Sequence, residues 1–142
     1  LCRERVVPVI SPAGRDRLGT GAAPSAAEIA RLPLLHLESR PRLWDSWLRE
    51  EGIEDSAAFS GHRFELFAMV IEAARAGIGI GLVPTYLVER DLAQGELVPL
   101  APVRDQTDGA YYTVQPEDAA TSPLATAFRA WMAEEVETHP AS

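Results

Sequence analysis

Apolar positions along the chain fall into short runs whose spacing switches between that of strands and that of helices. Residues 5–10, Arg-Val-Val-Pro-Val-Ile, are β-branched and stop at Ser11-Pro12-Ala13-Gly14, which predicts a strand entering a turn. Residues 15–24 are polar and glycine-containing and read as loop. Ser25 followed three residues later by Glu28 is a capping box, predicting a short helix over 26–31. Leu34-Leu35-His36-Leu37 is apolar on both faces, as expected of a strand in a sheet covered by helices.

From Pro41 to Glu51 the period becomes helical. Leu43, Trp44, Trp47 and Leu48 lie on one stripe, Asp45, Arg49 and Glu50 face water, and Gly52 stands just past the end. Residues 57–60 predict a third short strand. Residues 64–76 carry the clearest helical pattern, with Phe64, Phe67, Val70, Ile71 and Ala74 on one face and Gly77 as the stop. A buried strand over 78–83 follows, then a helix opened by Pro84 and closed by Gly95. Residues 97–100 and 110–114 read as strands, with a Pro- and Asp-containing break over 101–109 between them. Thr121-Ser122-Pro123 opens a last helix with Leu124, Ala127, Phe128, Trp131 and Met132 inward. Strands alternating with helices along the whole length predict an α/β fold with some parallel pairing.

Composition narrows the function. The 142 residues carry 13 Lys+Arg against 21 Asp+Glu, a net charge of −8, which argues against nucleic-acid binding by these residues. With 46% hydrophobic residues the chain has the apolar mass for a core. The single cysteine, Cys2, forms no internal disulfide, and the expected setting is the cytoplasm. No apolar run has the length of a membrane span. The chain starts Leu-Cys-Arg without a methionine or a visible signal peptide, so a piece of something longer is expected.

Candidate chemistry is sparse. His36, His62 and His139 match no metal spacing. Gly77-Ile78-Gly79-Ile80-Gly81 follows a helix and leads into a strand, the reverse of a dinucleotide loop, and reads as a helix stop. No nucleophile elbow, P-loop or cofactor motif is present, so neither an enzyme nor a cofactor is expected. What stands out is polar residues just before helices: Ser39-Arg40-Pro41 and His62-Arg63-Phe64-Glu65. Backbone N–H groups and an arginine at such places suit a carboxylate or phosphate. The plainer alternative is a Ser39 that caps its helix, solvated arginines, and Trp44 and Trp47 in the core.

Several segments together resemble the effector-binding domain of LysR-type transcriptional regulators. They are RERVVPVISP at the start, LLHLESRPRLWDSWLREEG (34–52), FELFAMVIEAARAGIGIGLVPTYLVERDLAQGELVPL (64–100), YYTVQPE (111–117) and PLATAFRAWMAEEV (123–136). The second of these is similar to the branch related to the glycine-cleavage activator. The resemblance implies a two-lobed fold like that of type 2 periplasmic binding proteins, with a small effector between the lobes. Residues 1–112 would be the second lobe, and residues 113–142 a crossover strand end and a helix returning to the first lobe.

On the same resemblance the chain would be a sensor for an amino acid or related carboxylate, self-associating, and touching DNA only through an upstream helix-turn-helix. A solute-binding protein or enzyme of the same fold is the alternative. Matching segment by segment, the implied effector-facing residues are Ser39, Arg40, Trp44, Phe64, Glu65, Phe67 and Tyr112. Arg40 would take the ligand's carboxylate and Glu65 an amino group. As a loop residue, Arg40 is expected to contribute little to stability.

Overall fold

The computed structural model describes residues 2–54, 56–114 and 122–138. Its order is β1 (Cys2–Ile10), α1 (Pro12–Leu18), α2 (Ala26–Ile29), β2 (Leu34–Leu37), α3 (Leu43–Glu50) and a 3-10 turn (Ser56–Phe59). There follow β3 (His62–Phe64), α4 (Phe67–Arg75), β4 (Ile80–Pro84), a second 3-10 turn (Thr85–Leu87), α5 (Glu89–Gln94), β5 (Val98–Pro99), β6 (Arg104–Tyr111) and α6 (Pro123–Thr138).

One sheet runs β3-β2-β4-β1-β5, and β6 joins β1 along the same edge as β5. The pairs β2–β3 and β2–β4 are parallel, while β1 runs antiparallel to β4, β5 and β6. Strand alternation divides the interior into two layers. Val6, Ile10, Leu34, Ile80 and Leu82 meet Trp44, Trp47 and Leu48 of α3 on one face. Val7, Val9, Leu35, Leu37 and Val83 meet Val70, Ile71 and Ala74 of α4 on the other. A sheet buried on both faces explains why β2 and β4 read as continuous apolar runs.

Local physics accounts for the departures from the sequence reading. Residues 15–24 are not all loop, because α1 runs from Pro12 to Leu18 with Ser11 as N-cap and Gly19 in the left-handed region at its end. Its buried contact is glycine backbone: a Cβ on Gly14 would stand 2.6 Å from the Gly77 Cα. Such a helix leaves no apolar stripe to read. The third strand is His62–Phe64, not 57–60, where a 3-10 turn stands. It is an edge strand and polar, as exposed edges commonly are.

The clearest helix begins at Phe67 rather than at residue 64. Phe64 ends β3, its carbonyl accepting from the Glu38 N–H at 2.8 Å. Residues 101–109 are a break only in part: β6 begins at Arg104 and pairs with β1 at Val6↔Arg104 and Arg5↔Asp105, then, after a register shift, at Arg3↔Ala110 and Cys2↔Tyr111. That strand ends at Tyr111, so the predicted strand over 110–114 is displaced. Asp45 is buried rather than solvated and accepts from Arg49 Nε at 2.9 Å. α6 forms as expected, but none of its residues is buried, and Leu124, Phe128 and Trp131 are exposed. Thr121, His139 and residues 115–117 lie outside the described residues.

Candidate functional site

Parallel β2, β3 and β4 all finish at one end of the sheet, where antiparallel β1 begins and β6 ends. The carboxyl ends of parallel strands are where open α/β sheets hold ligands, because the connecting loops leave a crevice there. Five side chains from five segments converge at this end: Glu4 of β1, Arg40 after β2, Phe67 opening α4, Tyr86 after β4 and Tyr111 ending β6.

Glu4 shares its strand face with Val6 and Ile10, and its side chain is 1% exposed. A carboxylate removed from water needs a partner. Arg40 supplies it, donating through Nη1 to Oε2 of Glu4. The other oxygen, Oε1, accepts from the Tyr111 hydroxyl at 2.7 Å. With its only hydrogen used on Glu4, the Tyr111 oxygen accepts from the Tyr86 hydroxyl at 2.6 Å. The two tyrosine rings meet edge to face, with centroids 6.1 Å apart. The Arg40 guanidinium also lies over the Phe67 ring, 5.4 Å from its centroid.

The electrostatics follow from this geometry. Burial pushes the Tyr111 phenol well above its ordinary range, and the hydrogen bonds to Tyr86 and Glu4 act in the same direction. Burial alone would lower Arg40, but the hydrogen bond and charge of Glu4 outweigh it and hold the guanidinium firmly protonated. Beside the cluster opens a cavity of about 450 Å³, lined among others by Glu4, Arg40, Arg42, Ser46, Ala110 and Tyr111. That volume fits a small metabolite. Two cations against one anion leave the wall with a surplus positive charge.

The structure brings together only part of the sequence-expected set. Arg40 lines the cavity, whereas Phe67 is not among the lining residues and meets the site only through the Arg40 guanidinium that lies over its ring. Ser39 is exposed in the turn between β2 and α3, and the helix N-cap is Arg42, without a side-chain cap hydrogen bond. Trp44 is 1% exposed and its Nε1–H donates to the Leu35 carbonyl at 2.9 Å, which places it in the core. Phe64 is half-buried at the end of β3, while Glu65 is exposed and is not among the residues lining the cavity. Tyr112 is 77% exposed, and its neighbour Tyr111 makes the contacts. Sequence reasoning missed Glu4, which stands between Arg3 and Arg5 just ahead of the strand expected over 5–10; its one signal was the two-residue spacing to Val6, which puts it on the same side of β1. Among the described residues no group of acidic, His and Cys side chains could hold a metal ion.

The LysR substrate binding domain model matches residues 1–137. The chain belongs to this family. It is 41% identical over 97 residues to the HTH-type transcriptional regulator TrpI of Pseudomonas aeruginosa, covering 68% of this chain and 32% of that protein. It is 32% identical over 136 residues to the glycine cleavage system transcriptional activator of Escherichia coli, covering 93% and 42% respectively. The chain therefore spans about a third to two-fifths of these relatives' lengths.

Its fold is that of the AmpR effector binding domain from Citrobacter freundii, with a TM-score of 0.76 at 22% identity over 97% of this chain and 66% of the other. The C-terminal domains of a LysR family protein from Agrobacterium tumefaciens align with a TM-score of 0.56 at 32% identity, over 73% and 53%. The two-lobed, periplasmic-binding-protein-like α/β class read from the sequence is that of these neighbours. The relatives named are transcriptional regulators. Among the described residues no helix is long and apolar enough to cross a membrane.

Proposed function

We propose that this chain is the sensing part of a cytoplasmic LysR-type regulator and binds a small amino acid or related carboxylate in the Glu4–Arg40–Tyr111 cavity. Residues 1–112 serve as the second lobe, and residues 113–142 return to the first. DNA contact belongs to a helix-turn-helix elsewhere in the longer protein, and the regulator works as a homo-oligomer without turning its ligand over. The observation that carries this reading is the buried Glu4 with Arg40 and Tyr111 at the wall of a metabolite-sized cavity, at the carboxyl ends of parallel strands. Arg42, with no acidic partner among the described residues, and Ser46 are free to take a ligand carboxylate beside Arg40.

The exposed apolar residues of α6, Leu124, Phe128 and Trp131, support the lobe division, because such a face is suited to cover by a further part of the domain. Signalling then follows as a population shift: the effector must bind the closed lobes more tightly than the open ones. Calorimetry of the full-length regulator with a panel of amino acids and plain carboxylates tests the reading. Saturable binding that is lost in Arg42→Ala and Arg40→Ala supports it. Binding that is indifferent to both variants overturns the site.

A further inference from the structure

The cavity beside Arg40 lies where the pairing of β6 with β1 breaks. Cys2↔Tyr111 and Arg3↔Ala110 join the strands at one end, and the next pairs are Arg5↔Asp105 and Val6↔Arg104. Across the gap β1 advances two residues and β6 advances five, so β6 carries extra residues opposite Glu4. Irregularities of this kind are common beside binding sites, because they end the pairing and bend the strand.

Gly109 stands at this break and lines the cavity. The register of Cys2↔Tyr111 and Arg3↔Ala110, carried one residue further, sets it against Glu4. It comes two residues before Tyr111, so a side chain at this position belongs to the face of β6 from which Tyr111 reaches Glu4. Glycine inside a strand weakens it and packs nothing, and it often marks a place where a ligand comes close to the backbone.

The other walls have their dimensions set by contacts. Glu4, Arg40 and Tyr111 hold one another in place. Across from them Pro41 is rigid, and Leu43 packs against the core that holds Trp44 and Leu48. Arg42, at the N-cap of α3, and Ser46, one turn on, supply the polar side. At Gly109 a ligand meets backbone instead of a side chain. We infer that Gly109 is the specificity-determining residue of this cavity, its missing side chain leaving room between β6 and α3 for the uncharged side chain of a carboxylate held at Arg42 and Arg40. The inference rests on the effector reading of the cavity and adds which part of the ligand is selected. The Pro41 and Leu43 side chains carry no charge and both Glu4 oxygens are engaged, so a second charge at this wall finds no partner.

The test is calorimetry of the full-length regulator with glycine, alanine, leucine and phenylalanine, and with acetate, butyrate and hexanoate as plain carboxylates. Unfolding midpoints are recorded for each variant. In Gly109→Val the largest ligand that the wild type binds is expected to lose about tenfold or more in affinity, because added methyl groups take its space. The smallest is expected to stay within about threefold, so preference moves toward short side chains. Gly109→Ala adds one methyl, serves should Gly109→Val fail to fold, and is expected to move preference the same way by less. Arg40→Ala, by contrast, is expected to weaken every ligand, since all carry the carboxylate. The inference is overturned if both glycine variants bind the panel as the wild type does, or if they weaken large and small ligands equally. It is also overturned if Gly109→Ala already unfolds the chain, since the room beside Gly109 then belongs to the packed fold. In each of these cases, loss of binding in Arg40→Ala still upholds the effector site. A panel that the wild type does not bind, or binds regardless of Arg40, overturns the site and this inference with it.

Discussion

Glu4 and Arg40 stand 36 residues apart in the chain and form an ion pair across a strand, since β4 lies between β1, which carries Glu4, and β2, which leads to Arg40. The sequence alone makes Arg40 a loop arginine of little structural weight. The structure reverses that expectation, because its partner carboxylate is 1% exposed. Arg40→Ala leaves this carboxylate with Tyr111 alone, and stranding a buried polar group costs about 1–3 kcal/mol. Urea unfolding should show that loss, and Glu4→Gln placed in the same chain should restore part of it, since the stranded charge is gone. Equal stability of the single and double variants would show that the two residues are not coupled.

The adjacent tyrosines of β6 and the segment after it should behave differently. Tyr111→Phe removes a hydroxyl that donates to Glu4 and accepts from Tyr86, a loss of about 1 kcal/mol or more. Tyr112 is 77% exposed, and Tyr112→Phe should stay within about 0.5 kcal/mol of wild type. If the same pair is tested for effector affinity in the full-length regulator, Tyr111→Phe should weaken binding and Tyr112→Phe should not. The reverse order would move the site to the other face of the chain.

This tyrosine pair illustrates how far the site could be read from sequence. Elements with a deep apolar stripe were legible: β2 and β4 are buried on both faces, and α4 keeps its helical spacing from Val70 to Ala74. The capping box at Ser25 and Glu28 also forms, with the Ser25 N–H donating to Glu28 Oε2 at 2.7 Å. Elements whose contacts are backbone or edge were not legible. α1 meets α4's end through Gly14 and Gly77, and β3 and β6 are polar because each pairs on one side only. The site suffered most, because Glu4 and Tyr111 acquire their meaning only when β1 and β6 pair. A one-residue difference in where β6 ends selects Tyr111 over Tyr112.

Trp44 provides a test of core against cleft. Its side chain is buried, donates to the Leu35 carbonyl and meets Trp47 edge to face with centroids 5.7 Å apart. Trp44→Phe keeps much of the ring and removes the donor, so stability should fall by about 1–2 kcal/mol. Affinity for an effector, measured where the variant remains folded, should stay within about threefold, the equivalent of roughly 0.6 kcal/mol. A large affinity loss with unchanged stability would return Trp44 to the ligand-facing set.

His36 gives the fold a pH dependence in the mildly acid range. It is 2% exposed on β2, with Nε2 at 2.8 Å from the Ser60 carbonyl, so that nitrogen carries the hydrogen. Burial pushes the imidazole below its ordinary value, the Arg63 charge on the neighbouring strand adds to this, and the Ser60 hydrogen bond opposes both. With the folded value depressed, the unfolded chain binds a proton that the folded chain refuses. Stability is therefore full above about pH 6.5, the unfolded value, and is lost as pH falls from there through the folded one. His36→Gln keeps an N–H donor for the Ser60 carbonyl without a titrating ring, and it should flatten this part of the profile. Arg63→Gln should bring the folded value nearer the unfolded one and narrow the window. The measurement is urea unfolding between about pH 7.5 and 5.5, above the range in which most carboxylates titrate. Identical slopes for wild type and His36→Gln would mean that His36 does not carry the dependence.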